Sequence, residues 1–247
     1  ITKIAEALAV NTSLQHISLD ANQLCGLDKD GRGTYTAEGI TKIAKALGTN
    51  CTLQHLGLSD NYLKAEGAKA IGEALAGSQS LTSLNLLKNG ITDGAQNLAK
   101  AVLEHTTLTD FCGIPLTSLR KNTLTELDLN DMGVGVPGAI VLSGLLPSAT
   151  ALKSLSVCNN SITGDGAQNL AKAVLEHTML TEFCKIPLKA LGENTLTELD
   201  LNEKSVGVPG AIVLSGLLPS ATALKSLSLD GHPLPIKQLR GEEPVEE

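Results

Sequence analysis

Apolar residues recur along this chain in a strand-like pattern, L-x-x-L-x-L, seven times: at 14–19, 53–58, 81–86, 124–129, 152–157, 196–201 and 224–229. Two shorter versions, LTDFC (108–112) and LTEFC (180–184), fill the gaps, so successive starts lie 39, 28, 27, 16, 28, 28, 16 and 28 residues apart. Alternation with period 2 predicts a strand whose leucines point inward and whose third and fifth positions point out. Between strands the apolar period lengthens to about 3.6 in AEGITKIAKAL, AEGAKAIGEAL, DGAQNLAKAVL and PGAIVLSGLL, which predicts an amphipathic helix in each case. One strand and one helix every 28 residues is the signature of a solenoid stacked from repeats.

Local chemistry agrees with that division. Thr36 and Thr92 stand near helix starts, where a side-chain oxygen can cap an N–H, and Pro137 and Pro209 fall in first turns, where a missing N–H costs little. Asn22, Asn61, Asn89 and Asn160 recur just past the strands, where an amide can satisfy turn backbone. Met132, Lys204 and His232 interrupt that series. Residues 94–157 and 166–229 match at 53 of 64 positions with an offset of 72, an internal duplication of one 28 + 28 + 16 block. The short unit containing F-C-x-I-P-L (111–116 and 183–188) was copied with its neighbours and belongs to the architecture.

These 28-residue units resemble the ribonuclease-inhibitor-like leucine-rich repeats, a repeat type also found in NOD-like receptors and RanGAP. The resemblance covers almost the whole chain. It implies an α/β leucine-rich-repeat solenoid, a horseshoe with a parallel sheet on the concave side and helices on the convex side. The F-C-x-I-P-L half-units depart from the standard repeat, so irregular geometry is expected near 108–123 and 180–195. The repeat domain is assigned to 1–241, with HPLPIKQLRG as a terminating segment in which Pro233 and Pro235 end the strand, and an acidic tail at 242–247. A repeat helix at the N-terminus without a strand before it leads us to expect further sequence upstream of Ile1.

Composition narrows the function. Aromatics make up only 2% and Trp is absent, so Leu, Ala, Ile and Val must form the core in thin layers. Five cysteines (Cys25, Cys51, Cys112, Cys158, Cys184) with no C-x-x-C pair argue against a disulfide framework or a zinc knuckle and for a reducing, cytoplasmic setting. No apolar run is long enough to span a membrane and no signal pattern opens the chain, although N-x-S/T sequons stand at Asn11, Asn50 and Asn159. The net charge is -7, of which four glutamates in the last six residues supply four, leaving -3 for the body. Nucleic acid is excluded as a partner because phosphate binding needs a clustered basic surface.

Sites of chemistry were weighed against structural explanations. Gly133-Val134-Gly135-Val136-Pro137-Gly138 fits G-x-G-x-x-G, but the duplicate has Ser205 at the first glycine and no acidic residue follows at the required distance. The insertion Asp28 to Gly39 resembles the start of an EF-hand loop, with Arg32 and Gly39 where oxygen ligands belong, and is expected to be a solvated loop or partner contact, with weak calcium binding as the alternative. His16 and His55 should lie side by side on neighbouring strands, two ligands short of a tetrahedral site. His105 and His177 near helix C-termini are read as favourable positive charges. No serine or cysteine has a base and an orienting group beside it, so no catalytic residues, metal or cofactor are assigned.

The outward columns are the informative surface. Third positions read His16, His55, Ser83, Asp110, Glu126, Ser154, Glu182, Glu198, Ser226, and fifth positions read Ser18, Gly57, Asn85, Cys112, Asp128, Ser156, Cys184, Asp200, Ser228. Neither column holds a lysine or arginine. Asp110, Glu126, Asp128, Glu182, Glu198 and Asp200 are therefore the candidate partner-binding residues, for another protein with a basic surface. Without Trp, Tyr or Arg anchors in these columns, a moderate, electrostatically steered interaction is expected in place of very tight inhibition. Three functions fit: a binding scaffold, the ligand-sensing module of a larger NOD-like receptor, or a RanGAP-like GTPase activator. The oligomeric state is not legible in the sequence.

Overall fold

The computed structural model describes residues 1–28, 30–229 and 232–234. Lys29, most of the terminating segment and the acidic tail lie outside the described residues. Helices and strands alternate as far as β9: α1 (Thr2–Val10), β1 (His16–Ser18), α2 (Glu38–Leu47), β2 (His55–Gly57), α3 (Lys64–Leu75), β3 (Ser83–Asn85), α4 (Ala95–Glu104), β4 (Asp110–Phe111), α5 (Leu116–Arg120), β5 (Glu126–Asp128) and α6 (Gly135–Leu145). Then come β6 (Ser154–Ser156), α7 (Gly164–Glu176), β7 (Glu182–Phe183), α8 (Leu188–Gly192), β8 (Glu198–Asp200), α9 (Gly207–Leu217), β9 (Ser226–Leu229) and β10 (His232–Leu234). The molecule is an α/β leucine-rich-repeat solenoid. Helices α1, α2, α3, α4, α6, α7 and α9 pack each on the next, and the repeat leucines (Leu53, Leu56, Leu58, Leu81, Leu84, Leu152, Leu155 and their counterparts) fill the layer between helices and strands.

Asparagine side chains join the turns of the solenoid. The Asn61 Oδ1 accepts the backbone N–H groups of Asn22 and Leu24 from the preceding turn, and its Nδ2 donates to the Leu19 and Leu58 carbonyls. Asn89 serves Asn61 and Leu63 in the same way, and Asn160 serves Gly133 and Val134. Asn61, Asn89 and Asn160 are buried, where unpaired backbone groups would each cost about 1–3 kcal/mol. Among the described residues, the exposed Asn22 side chain bonds the Asp20 carbonyl and no backbone N–H of another turn.

A second set of caps precedes the strands and corrects the reading of His105 and His177. Asn50 accepts Leu53 N–H and donates to the Leu8 and Asn11 carbonyls of the previous turn. His105 and His177 occupy the matching position: their Nδ1 atoms accept Leu108 and Leu180 N–H at 3.2 and 3.0 Å, and His177 Nε2 meets the Ala149 carbonyl at 3.1 Å. A ring nitrogen that accepts a hydrogen bond is unprotonated, so these imidazoles act as neutral caps and not as cations at a helix end. Burial pushes the His105 pKa below its ordinary value, with the nearby Ser78 carbonyl opposing the shift and the Arg120 charge adding to it. Among the described residues, His105 Nε2 is buried without a hydrogen-bond partner.

The sheet divides in three at the half-units: β1-β2-β3-β4, β5-β6-β7 and β8-β9-β10. The cause is local. After two residues of strand the chain reverses through Cys112-Gly113 (φ 54° and 79°), and Phe111 and Ile114 exchange both backbone hydrogen bonds, at 3.1 and 2.8 Å. The edge of β4 that would pair with β5 is thereby satisfied by its own turn. Phe183 and Ile186 repeat the arrangement through Cys184-Lys185. At the far end β10 pairs antiparallel with β9, Pro233 opposite Ser228, so Pro233 lies inside a strand and does not end one.

Helices α6 and α9 share the sequence GVPGAIVLSGL, which is apolar all round and not amphipathic as expected. Between α4 and α7, α6 buries eight residues, whereas α9, packed on α7, buries four. Identical sequences have similar intrinsic exchange rates, so hydrogen exchange should show α6 amides protected roughly ten-fold or more beyond those of α9. Equal protection would mean that burial by neighbouring turns does not govern opening.

A pH prediction follows from His105. Its folded pKa lies below the unfolded value of about 6.5, so the unfolded chain binds the proton first as pH falls. The contribution is complete above about pH 6.5 and is lost below it. Urea midpoints between about pH 7 and pH 5 should fall less steeply in His105→Asn, which copies Asn50, than in the parent chain. An unchanged slope would show that His105 is not a source of the pH dependence.

Candidate functional site

The strand register sets the outward columns side by side. His55, Ser83 and Asp110 are consecutive across the first sheet, Glu126, Ser154 and Glu182 across the second, and Glu198 beside Ser226 in the third. Asp128 lies beside Ser156 and Asp200 beside Ser228. The six candidate carboxylates thus fall in three separate sheets, with the breaks after Asp110 and Glu182.

Two of the six are engaged. Asp110 is half-buried, and desolvation pushes its carboxyl above the usual range against the opposing pull of the Gly113 N–H, the Ser83 hydroxyl and His55. Glu182 carries Lys185 at 3.6 Å and accepts the Ser154 hydroxyl at 3.5 Å. Lys185 is outside both columns, but the tight turn after β7 folds it back onto the strand face. Comparing the duplicates gives the signal for it, since Lys185 replaces Gly113 beside the F-C pair.

Glu126, Asp128, Glu198 and Asp200 are exposed. Asp128 and Asp200 accept the N–H groups of Asn130 and Asn202 at 3.0 Å, which fixes their direction at the strand end. Among the described residues, none of the four has an ion-pair partner.

Cys112 and Cys184 leave the outward column. The positive φ of the half-unit turn swings both inward, where they are 2% and 0% exposed and their sulfurs accept the N–H groups of Leu86 and Val157. They act as the half-unit's counterpart of the asparagine caps. Burial pushes Cys112 up to about 12, and a hydrogen bond with Cys158, together with burial, raises Cys184, the opposite of what a nucleophile needs. Ser156 is also buried, donating to Asn130 Oδ1 at 2.7 Å.

The remaining motifs close on themselves. His16 and His55 stack with ring centroids 4.1 Å apart, and among the described residues no three His, Cys, Asp or Glu side chains are grouped to hold a metal. In the insertion, Asp28 Oδ1 accepts the N–H groups of Asp30 and Arg32, while Asp30 faces Arg32 at 3.8 Å. The hairpin is tight, since a Cβ at Gly26 or Gly33 would fall within 2.4 Å of backbone oxygen. Tyr35 anchors it through the Leu63 carbonyl. In the glycine-rich loop, the Gly133 and Val134 N–H groups go to the Asn160 side chain and that of Gly135 to the Asn160 carbonyl, so they are not directed at a phosphate.

Residues 49–72 and 77–98 match the family model for the leucine-rich repeat. Among curated proteins, the chain is similar to ribonuclease inhibitor of Sus scrofa, 33% identical over 150 residues, covering 59% of this chain and 29% of the relative. It is also similar to ribonuclease inhibitor of Mus musculus, 27% identical over 176 residues, covering 66% of this chain and 36% of the relative. The chain therefore spans about a third of the length of these relatives. Solved structures with a related arrangement include Leiomodin-1 Actin-Binding Site 2 (TM-score 0.42, 17% identity, 73% of this chain and 76% of that one) and the tropomodulin C-terminal domain of Caenorhabditis elegans (TM-score 0.37, 14% identity, 73% and 79%). Two stretches of the chain thus match the leucine-rich-repeat model, and its sequence is similar to part of these ribonuclease inhibitors. Among the described residues no helix is long and apolar enough to cross a membrane.

Thiol accessibility provides a test of the inward turn. All five cysteines are free and Cys51 alone is exposed. Iodoacetamide should modify Cys51 rapidly in the native protein and all five in denaturant. Native labelling of Cys112 at the rate of Cys51 would contradict its placement under the turn.

Proposed function

We propose that this chain is a protein-interaction repeat module, not an enzyme, that works in the cytoplasm and holds a basic partner protein through the concave strand face. Glu126, Asp128, Glu198 and Asp200 carry the contact, and Asp110 and Glu182 contribute less. The observation behind this reading is the set of four exposed carboxylates without a paired cation among the described residues, repeated 72 residues apart by the duplication. Like-signed groups on one surface create a field that steers an oppositely charged protein and raises its association rate. A ribonuclease is the first partner to test, because the relatives reported above are ribonuclease inhibitors.

The test is the association kinetics of the purified chain with a ribonuclease and with a lysine-rich peptide. Replacing all four carboxylates by lysine should slow association roughly ten-fold or more. Added salt should weaken the parent complex, since the field reaches only about 8 Å at physiological ionic strength. Folding stability should change by less than about 0.5 kcal/mol per site, as these side chains are solvent-exposed. Binding that survives both the substitutions and high salt would move the contact away from these residues.

A further inference from the structure

The two copies of the duplicated block differ at 11 of 64 positions, and seven of those fall between 107 and 121. The most consequential is Arg120. It ends α5 and reaches over the C-terminus of α4, where Nη1 donates to the Leu108 carbonyl at 3.0 Å and Nη2 to the Val102 and Leu103 carbonyls at 3.1 and 3.2 Å. A planar guanidinium suits this task. It offers several donors in a fixed fork, and its charge complements the partial negative charge at the end of a helix.

In the second copy the same position is Gly192, and the next residue changes from Lys121 to Glu193. The corresponding residues Val174, Leu175 and Leu180 line an open cleft of about 430 Å3, with Met179 and Glu193 also at its wall. Among the described residues no side chain donates to their carbonyls. Leu175 and Met179 are 42% and 45% exposed, whereas Leu103 and Thr107 of the first copy are half-buried beside Arg120. A Cβ added at Gly192 would meet nothing within 4 Å, so the glycine is not there to relieve crowding. Charge changes with shape: Thr117, Arg120 and Lys121 sum to +2, and Lys189, Gly192 and Glu193 sum to zero. Lys153 and Lys189 also line the cleft, but Lys189 is paired with Glu193 at 3.8 Å and neither ammonium hydrogen-bonds to these carbonyls.

We propose that this cleft binds the guanidinium of an arginine side chain presented by a partner protein, supplying in trans what Arg120 supplies within the first copy. The stem lies on Leu175 and Met179, the fork meets the Val174, Leu175 and Leu180 carbonyls, and Glu193 adds charge at the rim. The site is at the helix-to-strand edge of the solenoid, so it does not depend on the carboxylates of the strand face.

The test is calorimetric titration with a blocked Gly-Arg-Gly peptide and its Gly-Lys-Gly counterpart. The arginine peptide should bind at one site with Kd on the order of 1 mM or tighter, and the lysine peptide roughly ten-fold more weakly. Gly192→Arg should abolish binding without lowering Tm, because the first copy already houses the same side chain in the same setting. Arg120→Gly with Lys121→Glu should raise the stoichiometry to two; if that variant fails to fold, the Gly192→Arg result decides alone. Equal affinity for the two peptides, no saturable binding, unchanged binding by Gly192→Arg, or a fall in its Tm would each overturn the proposal. A dimer in sedimentation that the arginine peptide dissolves would assign the cleft to a second copy of this chain and overturn the assignment to a partner protein.

Discussion

Every turn of this solenoid must bend sharply as it leaves the strand, and the bend exposes backbone N–H groups inside a leucine layer where no water can serve them. The asparagine at that corner meets the need by accepting two N–H groups from the preceding turn and donating to its carbonyls. The consequence is structural coupling. Where Asn61, Asn89 or Asn160 stands, a rung satisfies its neighbour's backbone as well as its own, so the turn before it is complete only when that rung is in place. This cross-bonding gives the thin core, poor in aromatics, a defined stacking register that leucine packing alone would specify weakly.

The half-units show what happens when the corner is built differently. A two-residue reversal lets Phe111 and Phe183 satisfy their own outer edge, and the thiols of Cys112 and Cys184 replace the amide as acceptors for one N–H each. The helix stack runs on without interruption, because α4 packs directly on α6 and α7 on α9. The strand ladder does not. The face that carries the carboxylates is therefore divided into three, and its acids are grouped by sheet.

The duplication makes the chain its own control. Helices α6 and α9 are identical in sequence and differ in burial because, among the described residues, α6 has helices on both sides. Most differences between the copies gather around the half-unit, and two of them alter exposed chemistry: Lys185 places a cation beside Glu182, and Gly192 stands where Arg120 reaches the helix-end carbonyls in the first copy. Divergence concentrated in a short irregular unit, with the repeats around it held nearly constant, leaves the scaffold intact while its edge changes character.

The sequence by itself determined the strand and helix positions, the 28-residue repeat, the half-units, and the outward columns of third- and fifth-position residues. Periodicity of 2 and 3.6 is a local property, so it can be read without a structure. Asn61, Asn89 and Asn160 were legible for the same reason, as polar residues recurring at a turn. Only the tertiary structure decided that Cys112 and Cys184 turn inward, that His105 and His177 are neutral caps, and that Asp110 and Glu182 are engaged while Glu126, Asp128, Glu198 and Asp200 are exposed, with no ion-pair partner among the described residues. Those outcomes depend on which backbone groups of a neighbouring turn a side chain meets. Contact between residues 26 or more positions apart is set by how turns stack, and a pattern along one strand carries no record of it.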